Sequence, residues 1–96
     1  MIKVALVDDH QLFRKSLALL LSSFEGISVV YDTHDGMAFL KYLEEAEIDV
    51  LLLDLEMPII NGYDVCKQAK SIDSDLKVVI VSHLTSQEAV HQVMEN

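Results

Sequence analysis

Two apolar rhythms share this chain. Residues 2 to 7, "IKVALV", are apolar and rich in strand formers, and the run ends abruptly on Asp8 and Asp9, which predicts a first strand. Over 11–24, Phe13, Leu17, Leu20 and Phe24 recur at helical spacing, with Leu12 and Leu19 widening the stripe. That pattern predicts a first helix buried along those positions. Gly26 stops it, and "ISVVYD" (27–32) reads as a second strand. Phe39, Leu40, Leu43 and Ala46 mark one face of a second helix over 35–46. "DVLLLD" (49–54) is a third strand, and its unbroken aliphatic run belongs to a strand covered on both faces, at the centre of a parallel sheet. After a loop over 55–62, Val65, Cys66, Ala69 and Ile72 give a third helix. "LKVVIVS" (76–82) is a fourth strand, and "TSQEAVHQVMEN" opens a fourth helix, where Thr85 and Glu88 fit a capping box.

Strict strand–helix alternation implies right-handed crossovers and helices on both faces of the sheet. The expected class is α/β, a flavodoxin-like doubly wound parallel sheet with strand order 2-1-3-4. Such a sheet binds its ligand at the carboxyl ends of its strands. There the first strand ends in Asp8 and Asp9, the third in Asp54 and the fourth in Ser82.

The 96 residues suffice for one domain, 1–96. Sixteen acids against seven bases give a net charge of −9, and Lys3, Arg14, Lys15, Lys41, Lys67, Lys70 and Lys77 are spread along the chain. A polyanion would be repelled, so direct nucleic-acid contact is not expected. The lone Cys66 cannot form an internal disulfide, and no export signal or membrane-length apolar run is visible. The expectation is a cytoplasmic protein.

In the expected strand order Asp54 lies between Asp9 and Ser82. Carboxylates so close repel one another, so the cluster wants a cation. An all-oxygen donor set points to Mg²⁺ or Mn²⁺ rather than zinc. Asp54 is then placed to act as an aspartyl nucleophile toward a phosphoryl group, with Ser82 able to hydrogen-bond it. The blander readings are strand-end or capping acids for Asp8 and Asp9, a turn acid for Asp54 and a local backbone partner for Ser82. His10, His34, His83 and His91 have no metal-like spacing with one another, and surface or capping roles are expected for all four. Cys66 reads as core, and Glu44, Glu45 and Glu47 as a solvated helix end.

The segments "LVDDH" (6–10), "LLLDLEMPIING" (51–62) and "VIVSH" (79–83), in this order, resemble the receiver domain of bacterial two-component response regulators. The resemblance implies that a sensor histidine kinase transfers a phosphoryl group to Asp54. It further implies that Asp9 and Asp54 ligate Mg²⁺, that Asp8 holds metal-bound water, that the Glu56 backbone carbonyl adds a ligand, and that Ser82 is the switch hydroxyl. Gly62 would permit the turn into the third helix, and Pro58 would stiffen the loop. The family's fifth strand, with its phosphate-pairing lysine, and its fifth helix find no counterpart in the sequence, so the expected domain is incomplete at its C-terminus. That leaves the fourth strand an apolar edge, with self-association or element exchange as its expected consequence. Two alternatives compete with a phosphoacceptor controlling transcription through an output domain. One is a receiver remnant that only binds partners. The other is a Mg²⁺-dependent phosphohydrolase of the haloacid-dehalogenase type, disfavoured because Glu56 stands where that family has a second Asp.

Overall fold

The structure is a computed structural model describing residues 1–54 and 62–81. Its elements are β1 (Ile2–Val7), α1 (Gln11–Ser22), β2 (Ile27–Thr33), α2 (Gly36–Glu45), β3 (Val50–Leu53), α3 (Gly62–Ile72) and β4 (Lys77–Ile80). All strand pairs are parallel, in the order β2-β1-β3-β4, as the sequence pattern predicts. The fourth helix with Thr85 and Glu88, and the positions of Glu56, Pro58, Ser82, His83 and His91, lie outside the described residues.

The central strands owe their place to aliphatic residues on both faces. On one face Ala5, Val7, Leu51 and Leu53 join Phe39, Leu40, Leu43, Ile48, Val65, Ala69 and Leu76 in a single core, with α2 and α3 as its lid. On the other face Val4 and Leu6 are buried as well, so β1 has no solvent side, and side-chain alternation gives it no need of polar positions. Helix α2 starts where Asp35 Oδ1 accepts from the Met37 amide at 2.9 Å, satisfying one of the N–H groups that a helix start leaves unbonded. Gly26 turns the chain from α1 into β2 with φ +88°, a left-handed backbone that a side chain would strain. Gly62 opens α3 and is buried.

Helix α1 departs from the sequence reading. Leu12, Leu19, Leu20 and Phe24 are exposed, Phe13 is 36% exposed, and the inward positions are Arg14, Leu17, Ala18 and Leu21. These four fall at i, i+3, i+4 and i+7, a proper helical stripe rotated from the predicted one. Leucine and phenylalanine occur around so much of α1 that hydrophobicity does not single out one face. The side is set instead by Arg14, whose hydrogen bonds need the interior. Ile72, predicted for the buried face of α3, is 40% exposed in its last turn. Cys66 is half-buried and packs against the core as expected.

A candidate cation site at the carboxyl edge

Strands β1 and β3 run in register, Val7 opposite Leu53, so Asp8 and Asp54 leave the sheet side by side. The backbone holds both. The Asp54 amide donates to the Val7 carbonyl at 2.9 Å, and the Asp8 amide to the Thr33 carbonyl at 3.1 Å. Each aspartate therefore extends the parallel ladder by one step while its side chain stays in the crevice. Asp8 and Asp54 are buried, whereas the Asp9 side chain keeps 29% exposure.

The turn from β1 into α1 is built by Asp8 itself, whose Oδ1 accepts from the His10 amide at 2.8 Å. His10 is the N-cap of α1, but its ring makes no capping bond. Instead Nδ1 lies 3.1 Å from Asp9 Oδ1, 3.2 Å from Asp8 Oδ1 and 3.6 Å from Asp54 Oδ2. One donor atom from each of Asp8, Asp9, His10 and Asp54 falls within 4.8 Å of all the others. His10 is exposed and stands at the N-cap position of α1, in line with the surface or capping role expected of it, but its ring also lies beside all three carboxylates. Partial desolvation pulls the His10 pKa down, but the hydrogen bond with Asp8 and the charges of Asp9, Asp8 and Asp54 outweigh it, leaving the imidazole above its ordinary value. His34, by contrast, is exposed as predicted.

A second residue that sequence reasoning passed over steadies this turn. Arg14, only 7% exposed, donates from Nη1 to the Asp8 carbonyl at 2.7 Å and from Nε to Asp32 Oδ1 at 2.8 Å. Lys15 reaches the same Asp32 oxygen at 3.3 Å. Desolvation raises the Asp32 pKa, but the hydrogen bonds from Arg14 and Lys15 and their charges overcome it and hold the carboxyl below its usual range. Arg14 thereby ties α1 to the ends of β1 and β2 and fixes the peptide that aims Asp8 and Asp9. The only advance signal was a cation inside an apolar helix, one turn after His10. Lys3 and Lys77 sit at the opposite edge, as the second residue of β1 and the first of β4, where the sequence reading placed them.

The sequence matches the family model of the response regulator receiver domain over residues 4–96. The chain belongs to that family. It is 39% identical over 82 residues to the response regulator GacA of Pseudomonas aeruginosa, covering 85% of this chain and 38% of GacA. It is 35% identical over 94 residues to a protein-glutamate methylesterase/protein-glutamine glutaminase of Clostridium acetobutylicum, covering 98% of this chain and 27% of that protein. The receiver thus spans well under half the length of either relative. The fold agrees with the signal receiver domain of NarL from Mycobacterium tuberculosis, with TM-score 0.87 and 31% identity over 98% of this chain and 76% of that one. The response regulator domain of Thermotoga maritima CheB gives TM-score 0.85 at 30% identity, covering 97% of this chain and 69% of that one. Among the described residues no helix is long and apolar enough to cross a membrane.

Proposed function

We propose that residues 1–96 act as one receiver domain that takes a phosphoryl group from a sensor histidine kinase onto Asp54. The observation that carries this reading is the convergence of Asp8, Asp9 and Asp54 within 4.8 Å at the carboxyl edge. Hard, charged oxygen donors in that number suit Mg²⁺. In this reading Asp9 and Asp54 hold the ion, Asp8 orients its water, and the Glu56 backbone carbonyl supplies a further ligand. When bound, Mg²⁺ supplies the positive charge that lets an anionic phosphoryl group approach anionic carboxylates.

The chain's own residues supply the rest. A carboxylate of Asp54, held by the backbone bond to Val7, attacks phosphorus as the bond to the donor's histidine nitrogen breaks. The electron pair leaves with that nitrogen, and the product is an acyl phosphate on Asp54. Burial of Asp54 limits the water that would compete for the donor or hydrolyse the product. Ser82 acts as the switch hydroxyl that bonds the phosphoryl oxygens. Transcription controlled through an output domain completes the reading, in keeping with the response regulators among the relatives.

Incubating the chain with Mg²⁺ and acetyl phosphate, then measuring intact mass, tests the proposal. One added phosphoryl group, dependent on the metal, supports it. No added mass favours a receiver that only binds partners. Steady turnover of acetyl phosphate without a labelled protein favours a phosphohydrolase.

A further inference from the structure

The feature of the carboxyl edge that an acidic cluster alone does not account for is the imidazole inside it. Donor atoms bound to one small divalent ion at about 2.0–2.1 Å stand roughly 3.0 Å apart at adjacent octahedral corners and roughly 3.3 Å apart in a tetrahedron. The His10 Nδ1 distances of 3.1, 3.2 and 3.6 Å to one oxygen each of Asp9, Asp8 and Asp54 are of that size. The 3.2 Å approach to Asp8 is a hydrogen bond, whereas the approach to Asp9 is not an aligned one, because the buried Asp9 Oδ1 has no hydrogen-bond partner among the described residues. The ring is not engaged in capping α1. It is carried by the residue whose backbone amide is bound to Asp8, so the start of the side chain is held beside the carboxylates.

We propose that His10 is a metal ligand of this receiver, its Nδ1 joining the carboxylates so that the site prefers a borderline divalent ion such as Co²⁺, Ni²⁺ or Zn²⁺ over Mg²⁺. The proposal rests on the reading of the cluster as a cation site and adds the donor that sets its selectivity. Carboxylate and water oxygens suit Mg²⁺, whereas an imidazole nitrogen adds affinity for later first-row ions and little for Mg²⁺. Those ions already bind oxygen sites more tightly than Mg²⁺ does, so the informative quantity is how far the preference changes when the imidazole is removed.

Calorimetric titration of the full chain with Co²⁺ alone and with Mg²⁺ alone, in wild type and His10→Ala, measures that change. The ring is 51% exposed and makes no capping bond, so the variant should retain the wild-type circular dichroism spectrum. The expected result is at least about a tenfold loss of Co²⁺ affinity with Mg²⁺ affinity altered by less than about twofold. Proton NMR of the Co²⁺-loaded wild type gives a readout independent of any variant: a strongly shifted, exchangeable imidazole N–H resonance is expected. Equal losses for both ions, no loss, or no shifted imidazole resonance would overturn the role of His10 while leaving the cation site standing. Failure of the wild type to bind either ion would overturn both readings.

Discussion

The two ends of the sheet use the same acidic side chains to opposite effect. At the amino end two of the acids, Asp49 and Asp73, each accept from a backbone amide. Asp49 Oδ2 accepts from the Lys3 amide at 2.8 Å, and Asp73 Oδ1 from the Asp75 amide at 3.0 Å. The Lys70 ammonium is held by the Ser74 and Leu76 carbonyls at 3.0 and 2.7 Å. At the carboxyl end Asp8, Asp9 and Asp54 aim at a single point, two of them buried. At an effective dielectric of about 20, two like charges 4 Å apart repel by about 4 kcal/mol, so convergence works against folding unless positive charge, of the His10 imidazole or of a bound cation, offsets it. At the amino end the carboxylates of Asp49 and Asp73 serve the backbone; at the carboxyl end three carboxylates and the His10 imidazole converge.

Substitutions matched between the two ends put that contrast at risk, the largest expected effect first. Asp54→Asn should abolish phosphoryl uptake from acetyl phosphate, whereas Asp49→Asn should leave it intact, both read by intact mass. Arg14→Met, which deprives the Asp8 carbonyl and Asp32 of a buried donor, should cost about 1–3 kcal/mol in urea unfolding. Lys70→Met removes a more exposed donor at the other end and should cost less than about 1 kcal/mol. Equal losses would mean that the carboxyl-end turn is no more tightly held than the amino-end loop.

Metal affinity divides the two ends more finely. Asp9→Asn should weaken Mg²⁺ binding about tenfold or more, and Asp49→Asn should not change it, as read by calorimetry. Without metal, Asp54→Asn should raise stability by about 1 kcal/mol through relief of repulsion, an effect that added salt changes little because the carboxylate is buried. Asp32 gives the smallest effect, and its sign follows from its lowered pKa. The carboxylate's contribution is present above the unfolded-state pKa and disappears as pH falls through the lower folded-state value. Asp32→Asn should therefore flatten the fall in stability over that acidic window.

How much of this was legible beforehand depended on whether a signal was carried by strands or by side-chain direction. The aliphatic runs before Asp8 and Asp54 mark central strands that end in acids, and the strand order of a doubly wound sheet then brings Asp8, Asp9 and Asp54 together. Helix α1 could not be oriented the same way, because leucines and phenylalanines surround it and the decisive inward residue, Arg14, is charged. The His10 ring was passed over for a related reason. Spacing rules look for histidines that pair with one another, and this one pairs with aspartates brought together by β1 and β3.

The central claim is that the carboxyl-edge cluster presents Asp54, and not a neighbouring acid, to the phosphoryl donor. Borohydride reduction after treatment with Mg²⁺ and acetyl phosphate converts an aspartyl phosphate into homoserine, which peptide sequencing by mass spectrometry can place in the chain. Homoserine at position 54 alone is the expected result. Homoserine at position 8, 9 or 49, or at none, would contradict the account.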